Sequence, residues 1–347
     1  MILYVLRYWP TLTETFAHAE ISGIPGVQLA TFGAREGDGS GLGVPVHRAP
    51  HRWGWLRVLP ALIVEWLRAP GWVPVRVLWL TCLVRRARRV HVHFAGEAAE
   101  WTRRACARAG VPYSVTVHAV DLWRPAACFA AVVREAVTVV TVSEANRVAL
   151  AAFGVDAVVV RCGVAPAARA TTREVVLSVG RNVPKKGLDL VVAAARRLPE
   201  TRFVLVSDLA DPGLPNLRVT GLIPHAEVLA WIQRARVLLQ PCRVAVDGDR
   251  DGVPVVLLEA LAAGVPVVTT GVSGIPEVVD DTVGWLVPPD DVDAIVAALG
   301  AEPEEAVRRG ARGPERLAAR GCALAAQVAR MGEILGVVGV GERRSAG

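Results

Sequence analysis

The chain has 347 residues, 52% of them hydrophobic and 21% charged, and a formal net charge of +6. That length predicts two domains, and the apolar content excludes wholesale disorder. A basic balance suits nucleic acid, an anionic membrane surface or phosphorylated substrates, but no nucleic-acid motif and no aromatic–basic interleaving accompanies it, so nucleic acid is set aside.

In chain order, β-branched runs predict strands at Ile2–Leu6, Val27–Thr31, Val90–His93, Ser114–Val117, Val137–Val142 and Ala157–Val160. A small-residue stretch, Gly163–Arg173, lacks apolar periodicity and marks a boundary. Beyond it, strands are predicted at Val175–Val179, Arg202–Val206, Leu217–Thr220, Val237–Gln240, Val265–Thr269 and Gly284–Val287. Helical patterns alternate with them, among others at Leu188–Leu198, Ala226–Ala235 and Pro254–Ala263, and a last helical region covers about Pro303–Leu335. Strand–helix alternation in each half predicts two doubly wound parallel sheets facing each other across a cleft, one ligand per half. The expected division is residues 1–165, residues 166–310, and a C-terminal helix with a frayed tail, 311–347, packing back toward the first domain.

No apolar run approaches the length of about 18 residues that spans a bilayer; Gly71–Val84 is broken by Arg76. The start has no basic region before its apolar run, so no signal peptide is read and a cytoplasmic location is expected. The six cysteines are widely spaced without a Cys-x-x-Cys, which predicts buried reduced thiols.

Two stretches carry chemistry. The first is Gly180-Arg181-Asn182-Val183-Pro184-Lys185-Lys186-Gly187, between a strand and a helix. Gly180 lets the chain turn and Gly187 permits close backbone approach, while Arg181 and Lys186 set cations beside a helix N-terminus. Of the 39 basic residues only Lys185 and Lys186 are lysines, and they stand side by side here. A compact ammonium acts as a point charge on phosphate, so a diphosphate is preferred over a merely solvated helix start.

The second stretch is Asp251-Gly252-Val253-Pro254-Val255-Val256-Leu257-Leu258-Glu259. Pro254 suits the first turn of a helix. The Asp251 and Glu259 carboxylates, eight positions apart, can face one ligand and accept from vicinal hydroxyls of a sugar or ribose, while early helix amides meet its oxygens. Glu259 taken alone reads equally well as a solvated helix residue. Asp247-Gly248-Asp249-Arg250-Asp251-Gly252 imitates the start of a calcium loop, but the closing position is Leu258 and Pro254 breaks the course, so calcium is rejected.

These motifs resemble glycosyltransferase family 4, retaining enzymes of the GT-B fold. GRNVPKKGLDL resembles the diphosphate loop and DGVPVVLLEALAAGVPVVTT the E-x7-E segment; GIPEVV, GWLVPPDD, YWPTLTETF, HVHFA, YSVTVHAVDLW and TVSEANR add to it. The combination is most similar to the colanic-acid-type exopolysaccharide branch. The resemblance implies two Rossmann-like domains, an acceptor domain followed by a donor domain. It implies a UDP- or GDP-linked sugar as donor, UDP favoured, with no cofactor and no metal.

By the same resemblance, Arg181 and Lys186 bind the diphosphate and stabilise the leaving group, with Gly180, Gly252, Val255 and Val256 lining the donor. Glu259 holds the ribose. Asp251 stands where the family has its first Glu and contacts the donor sugar. His118 matches the histidine near the transferred sugar, and Thr13, Glu14 and Thr15 form a closure or acceptor loop. His91 and His93 share a strand face, but no third metal ligand is evident and a structural or cleft-lining role is preferred. Ser143 reads as a helix N-cap.

The acceptor is expected on the first half. Trp53–Arg68 is apolar and Trp-rich, and Arg85, Arg86, Arg88 and Arg89 follow a second apolar segment. One reading is peripheral contact with the inner face of an anionic membrane and a lipid-linked glycan; the preferred one is two ordinary core-facing helices. A small-molecule acceptor, as in natural-product glycosylation, stays open. So does a catalytically weak nucleotide-sugar-binding protein of the same fold.

Overall fold

A computed structural model describes residues 1–11, 14–34, 42–51, 54–169 and 172–337. The first sheet comprises β1 (Ile2–Leu6), β2 (Val27–Thr31), β3 (Val46–Arg48), β4 (Arg89–His93), β5 (Tyr113–Val117), β6 (Thr138–Thr141) and β7 (Ala157–Val159). The second comprises β8 (Val175–Val179), β9 (Phe203–Val206), β10 (Leu217–Val219), β11 (Ala235–Gln240), β12 (Val267–Thr270) and β13 (Gly284–Val287). Every pairing is parallel, in the orders β3-β2-β1-β4-β5-β6-β7 and β10-β9-β8-β11-β12-β13. Both are doubly wound α/β sheets, as expected.

The chain divides into two compact units. One is Met1–Val142 with Arg147–Val160 and the chain from Gln327; the other is Ser143–Asn146 with Arg161–Ala326. In the first unit β1 is buried on both faces. Leu3 and Val5 join one apolar cluster, Ile2, Tyr4 and Leu6 the other, as strict alternation along a strand requires. The second cluster includes Met331 and Leu335 of the helix Leu324–Leu335. In the second unit Val176, Leu205 and Leu239 of adjacent strands pack with Leu188, Val191 and Ala195 of the helix Leu188–Arg197.

Three expectations need correction. The edge strand β3 was not read from sequence; it has three residues and no apolar run. The helical region from Pro303 is three helices, Pro303–Ala311, Gly313–Ala319 and Leu324–Leu335. The helix Trp55–Arg68 is not core-facing in the ordinary sense: Leu56, Leu59, Ile63, Val64, Trp66 and Leu67 are exposed, whereas Glu65 is buried. The helix Val75–Val84 does face the core through Val77, Leu78, Leu80 and Val84.

The order of each sheet reverses once, between β1 and β4 and between β8 and β11. Chains leaving neighbouring strands on opposite sides of such a switch point open a crevice at the carboxyl ends, where ligands of α/β sheets bind. The stretches Gly180–Gly187 and Pro241–Pro254 leave β8 and β11.

Candidate functional site

In the second unit Gly180 closes β8 and a single 3-10 turn, Pro184–Lys186, leads into Gly187. Gly187 has φ +61°, and a Cβ there would stand 2.1 Å from the Pro241 carbonyl oxygen. Any side chain would force apart the two loops that the switch point brings together. Gly180 acts more mildly: a Cβ would meet Lys186 Cδ at 3.2 Å, so the lysine stem lies across the glycine.

That course carries both ammonium groups onto the second stretch. Lys186 Nζ lies 2.6 Å from Asp251 Oδ2, and Lys185 Nζ lies 3.4 Å from Asp251 Oδ1 and 3.0 Å from Asp249 Oδ1. Burial pushes the Asp251 carboxyl up, but the Lys186 and Lys185 charges outweigh it and hold the group below its ordinary value. Burial likewise lowers Lys186, yet Asp251 more than compensates and its affinity for the proton is raised. Beneath them Cys242 Sγ is 3.9 Å from Asp251 Oδ2, and burial pushes its thiol up to about 12. Arg181 is exposed on the loop before the turn.

Pro254 caps the helix Val255–Ala262 from outside, one position earlier than the expected first turn, and Gly252 precedes it in the loop. Leu257, Leu258, Ala260 and Leu261 are buried, while Val255, Val256 and Glu259 are half-buried on its other side. Glu259 Oε1 lies 2.7 Å from His225 Nε2, and the hydrogen bond raises the proton affinity of that imidazole. The solvated reading of Glu259 is therefore set aside: its side chain is 10% exposed and has a fixed partner. Asp251 and Glu259 have different partners: the first is turned onto two cations, the second onto a histidine.

In the first unit His118 ends β5 and precedes the short helix Ala119–Trp123. Its Nε2 is 3.2 Å from His93 Nδ1, and His93 Nε2 is 3.2 Å from Glu20 Oε1. Glu20 also accepts from Tyr4 Oη at 2.8 Å and Gln327 Nε2 at 2.7 Å. An ionised carboxylate only accepts, so His93 donates from Nε2 to Glu20. Burial opposes the charge on Glu20, but the His93 charge and hydrogen bonds bring its pKa to about 2. Burial depresses His91 and His118 to about 3 and raises Asp121, which accepts from His118 N–H, to about 7. His118 is thus a neutral imidazole aligned by a chain of buried partners.

Sequence reasoning found no third metal ligand beside His91 and His93. The structure corrects this: Glu20 brings a carboxylate oxygen within 4.8 Å of both imidazoles. These atoms already have partners, however, since His91 meets Ser114 Oγ at 2.8 Å and Thr116 Oγ1 at 3.0 Å.

Thr13 lies outside the described residues. Glu14 precedes the helix Thr15–Gly23, which Thr15 opens, and the Phe16 ring stands 4.9 Å from the His118 ring, so this segment does border His118. His118, Glu14 and Thr15 belong to the first unit; Gly180, Arg181, Lys186, Asp251, Gly252, Val255, Val256 and Glu259 belong to the second. Ser143 is an N-cap, its Oγ accepting from Asn146 N–H. Sequence reasoning missed Glu20, Gln327 and His225. The cysteines are free, with Cys82 and Cys128 half-buried rather than buried.

Residues 173–301, which include both donor stretches, match the family described as Glycosyl transferases group 1, and they form a domain of that kind. The chain as a whole has the GT-B fold. It superposes on the crystal structure of Anabaena Alr3699/HepE in complex with UDP and glucose with a TM-score of 0.76, covering 97% of this chain and 99% of that one at 15% identity. Among curated proteins it is similar to the putative colanic acid biosynthesis glycosyltransferase WcaL of Escherichia coli (strain K12), 36% identical over 172 residues. That alignment covers 45% of this chain and 42% of WcaL. It is also similar to the amylovoran biosynthesis glycosyltransferase AmsK of Erwinia amylovora, 36% identical over 140 residues, 36% of this chain and 34% of that one. The chain spans less than half the length of these curated relatives.

Proposed function

We propose that the chain is a retaining glycosyltransferase that moves a sugar from a nucleoside-diphosphate donor, UDP-linked by preference, to a hydroxyl acceptor in polysaccharide or glycoconjugate biosynthesis. The observation that carries this reading is the pair of lysines at the β8/β11 switch point, held by Asp251 and Asp249 beside the helix of Glu259. Two ammonium groups and an exposed Arg181 suit a diphosphate, and Glu259 with His225 suits a ribose. Likeness to WcaL and AmsK supports the exopolysaccharide class of acceptor, and the fold shared with the UDP-bound HepE supports UDP.

In this reading the bond from the anomeric carbon to the β-phosphate oxygen breaks, and Arg181 and Lys186 stabilise the charge left on the diphosphate. The acceptor oxygen bonds to the same face of the sugar and its proton passes to a departing phosphate oxygen. No cofactor, metal or protein nucleophile is assigned a role. His118 is the neutral group near the transferred sugar, and Asp251 contacts that sugar once the lysines turn to phosphate. We place the protein in the cytoplasm, with a lipid-linked glycan preferred to a small soluble acceptor.

Thermal shift with UDP, GDP and their sugars tests the site. UDP is expected to raise the midpoint, and Lys186→Ala to weaken its binding by about tenfold to a hundredfold, as loss of a charge-assisted contact does. Equal shifts in both proteins overturn the phosphate assignment. If bound UDP-sugar is neither transferred nor hydrolysed across a broad acceptor panel, the chain is a nucleotide-sugar-binding protein. Product anomeric configuration by NMR, with chelator present, tests retention and independence of metal.

A further inference from the structure

The helix Trp55–Arg68 is amphipathic, but its apolar stripe points the wrong way for a soluble fold. Leu56, Leu59, Ile63, Val64 and Leu67 follow the i, i+3, i+7, i+8, i+11 spacing of one helical face, and Trp66 borders it. All six are exposed, Leu56 at 59% and Leu67 at 62%. The opposite side is fixed inward by Glu65, 1% exposed, whose carboxylate is held by Arg85 at 2.7 Å, Arg68 at 3.1 Å and Arg108 at 3.3 Å. Hydrogen bonds from Arg85 keep that carboxyl below its ordinary value, so the anchor stays ionised. The helix cannot roll its apolar face inward without breaking the ion pairs of the buried Glu65 carboxylate.

The stripe continues past the helix. Trp66 Nε1 donates to the Gly71 carbonyl at 2.9 Å, and the next residue, Trp72, is 85% exposed. Arg57 and Arg68, about three turns apart, flank the apolar face on one side and are both exposed. An apolar stripe, an arginine flank and tryptophan at one end match the headgroup boundary of an anionic bilayer. A second copy of this chain fits poorly, because two such faces packed antiparallel set Arg57 of each against Arg68 of the other. Among the described residues no helix is long and apolar enough to cross a membrane, so this one would lie in the interface plane.

We propose that the exposed face of Trp55–Arg68, with Trp72, docks on anionic lipid. This goes beyond the transfer reading and is measured without any donor, so either can fail alone. The full chain is floated with phosphatidylcholine vesicles and with vesicles of equal parts phosphatidylcholine and phosphatidylglycerol, alongside the double variant Ile63→Gln/Leu67→Gln and Arg57→Glu. The wild type is expected to float with the anionic vesicles, less so at high salt. The double variant, at exposed positions and with an unchanged melting midpoint, should lose about tenfold or more in partitioning. Arg57→Glu should lose several-fold and become less sensitive to salt. Failure to float, or flotation that the double variant leaves intact, overturns the proposal. So does a dimer in light scattering that the double variant converts to monomer while vesicles bind neither, which assigns the face to a second copy.

Discussion

Asp251 meets the only two lysines of the sequence, Lys186 Nζ at 2.6 Å and Lys185 Nζ at 3.4 Å. Its acid class and place in the loop were legible, and so was the weight of a lone lysine pair in an arginine-rich chain. Its contact with that pair was not, because it depends on β8 and β11 being neighbours although Lys186 and Asp251 are far apart in sequence. Glu20 was hidden for the same reason: it sits on a helix after β1 and meets His93 only because β1 lies beside β4. Asp251 engages the two ammonium charges that a diphosphate would need. Asp251→Asn keeps the shape and removes the charge, leaving Lys186 under-compensated. The substitution should lower the unliganded stability by about 1–3 kcal/mol, below the full cost of breaking a buried pair because the Lys186 side chain is 16% exposed. UDP would then supply the missing charge, so the UDP-induced rise in melting midpoint should exceed that of the wild type, while transfer falls. A smaller rise would mean that the carboxylate assists nucleotide binding and does not compete with it.

Elements were easier to read than their ends or their partners. Buried parallel strands write themselves as runs such as Val175–Val179, whereas β3 sits at a sheet edge with half-exposed residues and leaves no such run. The strand expected from Val265 starts at Val267, after Pro266, which has no N–H for the ladder. The first break among the C-terminal helices, at Arg312, lies between two glycines that serve close contact. A Cβ on Gly313 would stand 2.4 Å from the Leu261 carbonyl oxygen, and one on Gly310 would stand 2.2 Å from that of Gly264. Leu261 lies on the helix of Glu259, two positions further on, so packing there reaches the donor site. Gly313→Ala should cost about 1–3 kcal/mol by overpacking and should weaken UDP binding several-fold in the folded protein. Gly321→Ala is the control: its φ of +68° makes the substitution straining, yet nothing lies within 4 Å of its Cβ, so stability should fall with UDP affinity unchanged. Unchanged affinity in both variants would uncouple this packing from the site.

For the whole molecule, the buried groups of the first unit predict how folding responds to acid. His91 and His118 have folded pKa values of about 3 against about 6.5 when unfolded, so between these values the unfolded chain binds two more protons. Asp121 acts the other way: at about 7 when folded and about 3.9 when unfolded, it is protonated in the folded state through most of the same range. The net excess is one proton on the unfolded side, and stability falls by up to about 1.4 kcal/mol per pH unit on acidification below about 6.5. Below about 4.3 Glu20, at about 2 when folded, adds a second proton and steepens the loss. As pH rises through about 7, the contribution of Asp121 is lost in turn, so this unit should be most stable near neutrality. Eight of the ten tryptophans precede residue 124, so intrinsic fluorescence in urea reports mainly on this unit. Asp121→Asn removes the opposing group and should sharpen the decline with acid between about pH 4 and pH 6. A flat or reversed dependence in the wild type would show that the imidazoles carry protons in the folded state, and the neutral His118 assigned to the transfer reaction would have to be abandoned.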